Sequence, residues 1–266
     1  MINQKLSAII IAKNEEEIIG DCLESIKWAD EIVVIDTGCA DKTPQIAKEM
    51  GAKVFEHKTE DIDYSAWRNF ALRRAWGEWV FYVDADERVS PLLRKEILST
   101  INNRQSTTGN YSAFAIPRRN IRLTRELHWG GWWPDYVLRL IKKDKLKKWV
   151  GKLHEQPEID GEIGKLTEPL IHYSHRGAFE HKLANTVAWS GLEAQLIYES
   201  GHPKMNVQRF LGAMGREFYE RMIKCQAWRD GAEGVIEAIY QVFSVFITYA
   251  RLWEKQINTD LKTDLR

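Results

Sequence analysis

Three short polar clusters recur along the first third of this 266-residue chain: Ala12-Lys13-Asn14-Glu15, Asp36-Thr37-Gly38 and Asp84-Ala85-Asp86-Glu87. Each follows a run of apolar residues. The third is the sharpest, because carboxylates one residue apart offer hard oxygen ligands for Mg²⁺ or Mn²⁺, and such an ion can hold the oxygens of a nucleoside diphosphate. Farther along, Asp135 and Glu155 are carboxylates of the kind that takes a proton from an attacking hydroxyl, and either could serve. His172 or His175 could lend an imidazole to the metal. The segment His128-Trp129-Gly130-Gly131-Trp132-Trp133 combines two glycines that permit a close turn with three indole faces suited to stacking on a sugar ring. Each of these residues also has a plainer reading. A lone acid is commonly a helix cap or turn former, a lone Glu a surface ion pair, an indole part of the core. The repetition of acids after successive apolar runs is harder to explain that way.

Those runs read as the elements that position the acids. Leu6–Ala12, Glu31–Asp36, Lys53–Glu56 and Trp79–Asp84 have the short apolar character of buried strands. Between and after them, Glu16–Ile26, Thr43–Met50, Tyr64–Ala75 and Pro91–Ile101 read as helices, two of them stopped by Gly51 and Gly77. This alternation predicts an α/β layer with a largely parallel sheet, whose ligands gather at the carboxyl ends of the strands. From about Asn103 the pattern changes. Gln105–Asn110 reads as a polar loop, Ser112–Arg119, Tyr136–Lys142 and Leu170–Ser174 as strands, and the chain after Gly177 as helix, through about Ser200 and again from Asn206. The expected organisation is a catalytic domain over 1–176, with a nucleotide half to about 103 and an acceptor half over 104–176, followed by a helical region over 177–266.

Composition narrows the function classes. Hydrophobic residues make up 44% of the chain, and 38 basic residues balance 38 acidic ones. A net charge of zero argues against a nucleic-acid partner. Cys22, Cys39 and Cys225 show no zinc or disulfide spacing, and the start of the chain shows no signal-peptide pattern, so a cytoplasmic location is expected. Neither GxGxxG nor GxxxxGK[ST] occurs, and Glu15, Glu16 and Glu17 at the first helix would repel a pyrophosphate there. A nucleotide would therefore lie with base and ribose along the strand ends and its phosphates toward Asp84-Ala85-Asp86.

Residues 8–16, Ile32-Val33-Val34-Ile35-Asp36-Thr37-Gly38 and Asp84-Ala85-Asp86-Glu87 together resemble glycosyltransferase family 2. Trp133-Pro134-Asp135 with Arg139-Leu140, and Gly151-Lys152-Leu153-His154-Glu155, resemble more narrowly its lipopolysaccharide-core β-1,4-glucosyltransferase-like branch. The resemblance spans residues 6 to about 175. It implies the GT-A fold, a Rossmann-like mixed but mostly parallel sheet, here with a C-terminal helical extension. It implies a metal-dependent, inverting hexosyltransferase that uses a nucleotide-sugar donor, a UDP-sugar favoured, and a glycan or glycolipid acceptor of the bacterial cell envelope. By matching position, Asp36 would contact the nucleobase, Arg68 the nucleotide and Asp84 the ribose, with Ala12, Asn14, Glu15 and Ala85 beside them. Asp86 would bind the metal, with His172 as a second candidate. Glu155 is preferred over Asp135 as base, because it resembles the acidic motif of inverting members. Trp129, Trp132 and Trp133 are the acceptor candidates. One departure is Gly38-Cys39-Ala40-Asp41, where the family usually has Gly-Ser-x-Asp; the missing hydroxyl is expected to remove a turn hydrogen bond.

Two other classes remain open. A sugar-phosphate nucleotidyltransferase would want a Gly- and Arg-rich first loop, unlike Lys13-Asn14-Glu15-Glu16. A catalytically silent carbohydrate-binding protein would have no need of Asp84, Asp86 and Glu155. Within 231–253 a strongly apolar helix is expected from Val235 to Trp253, either touching the inner face of the cytoplasmic membrane or packing on a protein surface such as a second copy.

Overall fold

A computed structural model of the chain describes residues 4–102, 111–123, 125–174 and 179–264. The loop expected at Gln105–Asn110 and the candidate ligand His175 lie outside the described residues. Two compact units are present, one formed by Met1–Arg119 with Pro134–Tyr173, the other by Asn120–Trp133 with Ser174–Arg266. Residues 120–133, an internal stretch of the expected catalytic domain, thus group with the C-terminal helices.

The first unit is built on strands β1 (Leu6–Ala12), β2 (Glu31–Asp36), β3 (Lys53–Glu56) and β4 (Trp79–Tyr82). They lie in the order β3-β2-β1-β4, and every neighbouring pair is parallel. Helices α1 (Ile19–Ile26), α2 (Thr43–Glu49) and α3 (Tyr64–Arg74) make the crossovers, and α4 (Pro91–Asn102) follows β5 (Glu87–Val89). Beyond β4 the sheet continues through β8 (Asp135–Lys142), β6 (Tyr111–Arg122), β12 (Leu170–Ser174) and β5. There β8 runs antiparallel to β4 and to β6, and β12 antiparallel to β5. Strands β7 (Arg125–Glu126) and β11 (Glu162–Lys165) add to β6, while β9 (Leu146–Val150) and β10 (Gln156–Ile159) form a separate hairpin.

The apolar runs form strands because both faces of the parallel sheet are covered. On one side Ala8, Ile10, Val34 and Phe81 pack with Ile19, Leu23 and Ile26 of α1; on the other Ile9, Val33, Ile35 and Val80 meet Ala71 and Trp149. Each fully buried Ile or Val stabilises the layer by about 1.5–3 kcal/mol relative to exposure. Helix α1 starts at Ile19, later than the expected Glu16, because Asn14 takes a left-handed conformation (φ +57°) and the Glu15 carbonyl accepts from Ile18 and Ile19 in a tight turn.

The second unit contains α5 (Phe179–Glu199), α6 (Val207–Phe218) and α7 (Gly231–Asp264). The chain leaves α6 through a wide turn, Tyr219–Lys224, and enters α7 through a 3₁₀ turn, Ala227–Asp230. The stretch Ala227–Asn258 is long and apolar enough to cross a membrane by length and composition, longer than the apolar helix expected from Val235 to Trp253.

Candidate functional site

The clusters Asn14-Glu15, Asp36-Thr37 and Asp84–Asp86 follow β1, β2 and β4, three adjacent parallel strands, so all three emerge at one edge of the sheet. The first two loops are laced together. Asn14 Oδ1 accepts from Ala40 N (2.8 Å), Glu15 N donates to Thr43 Oγ1 (2.7 Å), and Asp36 Oδ1 accepts from the backbone N–H of Gly38 and Cys39 at 2.9 and 2.7 Å. Burial raises the Asp36 carboxyl, but these two N–H bonds prevail and hold it below the usual range. The hydrogen bond expected to be lost at Cys39 has a substitute, since its Sγ accepts from Asn14 N at 3.3 Å.

At the third cluster the chain makes a turn between β4 and β5. Glu87 N donates to the Asp84 carbonyl, and Asp84 N to Glu87 Oε2, both at 2.9 Å. Strand β12 pairs with β5 in a register that sets His172 opposite Glu87, and Tyr173 N donates to the Asp86 carbonyl. This short pairing brings His172 Nε2 within 3.2 Å of Asp86 Oδ2. The three-residue β5, absent from the sequence reading, is therefore what joins those two candidates.

Asp86 and His172 together offer a carboxylate and an imidazole. Among the described residues no group of three or more His, Cys, Asp and Glu stands ready as a metal cage. A carboxylate beside an imidazole is nonetheless a donor pair that Mg²⁺ or Mn²⁺ can accept at a diphosphate, whose phosphate and water oxygens would complete the shell. The donor set therefore fits the cation that the sequence implies.

Asp84 belongs to a chain of alternating charges. Arg139, on β8, hydrogen-bonds Asp84 and lies 2.7 Å from Glu87 Oε1. Arg68, on α3, lies 3.6 Å from Asp84 Oδ1 and donates from Nε to Glu155 Oε1 at 2.6 Å. Arg118 lies 3.8 Å from Glu87 and pairs with Asp135 at 2.7 Å, directly across the β6–β8 ladder. Burial would raise the Asp84 carboxyl, yet Arg139 and Arg68 hold it well below the usual carboxylate range, so it stays ionised. Glu87, wholly buried beside Asp84, is instead pushed up, first by burial and then by that neighbouring charge, with Arg139 opposing. Glu15 is raised to about 7, mainly by burial and then by the charges of Asp86, Asp41 and Asp84.

Both candidate bases are thus held by guanidinium groups, at different removes. Glu155 is one guanidinium from Asp84. Asp135 is joined to Asp84 through Arg118, Glu87 and Arg139. The Arg68–Glu155 pair is set by its neighbours: Asn69 exchanges two hydrogen bonds with the Trp149 backbone (2.8 and 2.9 Å), and Tyr64 N donates to the Lys152 carbonyl. Arg68 also lies over the rings of Trp149 and Tyr82, at 4.8 and 5.1 Å. Left-handed backbone at Gly151 and His154 turns the chain so that Glu155 faces Arg68. Arg139, Glu87 and Arg118 were missed as site residues; Glu87 stood in the quoted Asp84-Ala85-Asp86-Glu87 cluster and Arg139 in the quoted Arg139-Leu140 motif, while Arg118 had no signal.

Within the second unit, Gly130 and Gly131 adopt positive φ (+68° and +82°), as the expected close turn requires. Asp230 Oδ2 accepts from His128 N and Trp129 N at 2.8 and 2.7 Å. The indoles differ in their surroundings. Trp132 has Arg122 3.6 Å and Arg221 4.9 Å from its ring centre, Trp129 has Arg229 at 4.4 Å, and Trp133 is 40% exposed.

The model of glycosyl transferase family 2 matches residues 7–156. The lipopolysaccharide core biosynthesis glycosyltransferase LpsC of Rhizobium meliloti is 26% identical over 260 residues, covering 94% of this chain and 92% of that protein. An uncharacterized glycosyltransferase of Rickettsia bellii is also 26% identical, over 99% of this chain and 93% of its own length. Among solved structures, S. aureus TarS 1-349 in complex with UDP-GlcNAc superposes with a TM-score of 0.51 at 16% identity, covering 91% of this chain and 81% of that one. Glucosyl-3-phosphoglycerate synthase from Mycobacterium tuberculosis, in complex with Mn²⁺, UDP and glucosyl-3-phosphoglycerate, gives a TM-score of 0.51 at 18% identity, covering 76% and 81%.

Proposed function

Because this chain belongs to glycosyl transferase family 2 and has the GT-A fold expected from its sequence, we propose that it transfers a hexose, with inversion, from a UDP-sugar to a glycan or glycolipid acceptor of the bacterial envelope. One observation carries the reading: Asp84 and Asp86 leave the end of β4 beside the ends of β1 and β2, with His172 brought against Asp86. The name of the Rhizobium relative supports a lipopolysaccharide-core acceptor. The UDP complexes of the two structural neighbours support the choice of nucleotide.

In this reading Asp36 receives the nucleobase, Asp84 the ribose, and Ala12, Asn14, Glu15 and Ala85 line the nucleotide between them. Asp86 and His172 hold the divalent cation. Bound there, the cation would neutralise diphosphate charge as the glycosidic bond breaks. Arg68 reaches toward the same diphosphate from α3. Glu155 accepts the acceptor hydroxyl's proton while that oxygen bonds to the anomeric carbon and the sugar–phosphate C–O bond breaks; the nucleoside diphosphate leaves on the opposite face. Asp135 is the rival base, less favoured because Glu155 stands one guanidinium from Asp84 and resembles the acidic motif of inverting members. Trp133 offers an exposed indole for the acceptor, Trp129 one that has Arg229 over its ring, and Trp132 lies under Arg122 and Arg221. The catalytic unit corresponds to Met1–Arg119 with Pro134–Tyr173 rather than to an unbroken 1–176, and it works at the inner face of the cytoplasmic membrane. The separating experiment is a thermal-shift screen of nucleotide sugars with and without Mn²⁺. A ligand at about 100 times its Kd stabilises by roughly 2.7 kcal/mol. A shift with UDP-sugars that needs Mn²⁺ supports the reading; nucleoside triphosphates shifting the protein in their place would favour a nucleotidyltransferase.

A further inference from the structure

The helices of the second unit bury polar groups beside a small apolar core and expose an apolar stripe. Next to the buried Ala194, Ala238 and Leu252, the buried positions include Lys182, Thr186 and Ser190, one turn apart on α5, and Glu237, Thr248 and Gln256 on α7. Their polar atoms have partners within the unit. Glu237 accepts from Lys182 and, at 2.8 Å, from Arg122; Thr186 and the Tyr240 hydroxyl are hydrogen-bonded; Thr248 donates to Glu193 at 3.0 Å. The exposed stripe of α7 is the apolar one. Ile236, Ile239, Phe243 and Phe246 recur at three- and four-residue spacing with no charge among them, Ile239 at 54% and Phe243 at 40% exposure. Helix α5 likewise exposes Val187 and Trp189. A helix covered by its own domain in water has the opposite polarity. Polar groups satisfied between helices with apolar groups outward is the arrangement that lipid favours.

Charge selects the occupant. Residues 204–229, which lead into α7, carry six Lys and Arg against two Glu. Tyr219, Ile223 and Trp228 are exposed among them, aromatics of the kind that settle at a headgroup boundary. Two copies of this surface would bring like charges together, whereas an anionic bilayer complements them. We infer that the outer face of α6 and α7 docks on a lipid surface bearing anionic headgroups, with the Ile236–Phe246 stripe in the acyl boundary. This holds whether or not the reaction proposed above is correct, since it rests on the second unit alone.

Flotation of the full chain with phosphatidylcholine vesicles, with and without phosphatidylglycerol, tests it. The protein is expected to float, and more strongly with phosphatidylglycerol. The exposed pair Ile239→Glu with Phe243→Glu should lower binding to both vesicles by about tenfold or more. Arg216→Glu with Lys224→Glu should lower it by about tenfold on anionic vesicles only. Circular dichroism and nucleotide-induced thermal shifts should be unchanged in both variants, which separates lost docking from lost folding. Failure of the intact chain to float on either vesicle overturns the inference. A lipid-free dimer that Phe243→Glu dissociates also overturns it and assigns the face to a second copy.

Discussion

Arg68 Nε donates to Glu155 Oε1 at 2.6 Å, while the far end of the same guanidinium lies 3.6 Å from Asp84 Oδ1. The side chains of Arg68 and Glu155 are 8% and 13% exposed, so solvent screens the pair little. One cation therefore couples the carboxylate proposed for proton transfer to the one proposed for the donor. A diphosphate arriving at Arg68 would compete with Glu155 for its N–H groups and leave that carboxylate freer to take a proton.

Glu155→Gln keeps the shape and a hydrogen-bond acceptor for Arg68 but removes the base. Transfer should slow by about 10²–10⁴ with donor affinity little changed. Steady-state kinetics with parallel donor titration checks this. If Asp135→Asn abolishes transfer and Glu155→Gln does not, the base is Asp135.

Arg139 bonds both Asp84 and Glu87, and it is 5% exposed. Arg139→Met would leave those two carboxylates without their shared cation. Breaking a buried charge cluster in this way costs about 3–5 kcal/mol. Urea unfolding should show that loss as a lower midpoint with an unchanged slope; a midpoint like that of the parent chain would show that Arg68 and Arg118 compensate.

Much of the nucleotide half was legible because its signal is local. The apolar runs at Leu6–Ala12 and Glu31–Asp36 became strands with the expected bounds, since strands buried on both faces need continuous apolar sequence, and Lys53–Glu56 did so as the half-exposed end strand of the sheet. Strands whose pairing is supplied by context were not legible. Glu162-Ile163-Gly164-Lys165 carries too little apolar sequence to announce β11, and Glu87-Arg88-Val89 is a strand only because β12 returns beside it. The same holds for the candidate site. The acids at the strand ends could be read from position and Arg68 from the family resemblance, but the ion pairs that join them through Arg68, Arg118 and Arg139 could not, because those three come from elements that meet only in space.

The pH dependence of stability should have two limbs. Glu15 is raised in the folded chain from 4.5 to about 7, so the folded state holds a proton that the unfolded state releases. Its contribution is full below 4.5 and is lost as pH rises through about 7. Asp84 is depressed, so its contribution is present above the unfolded value of 3.8 and is lost as pH falls below it. Thermal melting from pH 5 to 8 should therefore decline for the parent chain and flatten in Glu15→Gln. Parallel profiles would remove Glu15 as the source.

The three indoles should separate in function. Trp132→Ala uncovers Arg122 and Arg221 and should act on stability. Trp133→Ala should leave the melting temperature alone and raise the acceptor KM by about 2–10-fold, the worth of one aromatic contact. A melting temperature lowered by Trp133→Ala with KM unchanged would make that residue structural.

The most direct measurement is UDP release by the full chain supplied with UDP-sugars and a lipopolysaccharide-core acceptor, comparing the parent with Asp86→Ala, each with Mn²⁺ and with EDTA. The Asp86 carboxylate faces His172 at the edge of the sheet, and its backbone bond to Tyr173 does not need the side chain, so the variant should keep its fold by circular dichroism. Release should require both Mn²⁺ and Asp86, and the glycoside formed should have inverted anomeric configuration by NMR. Equal release in EDTA, or by Asp86→Ala, would contradict the assignment of Asp86 and His172 as the cation site on which the proposed reaction depends.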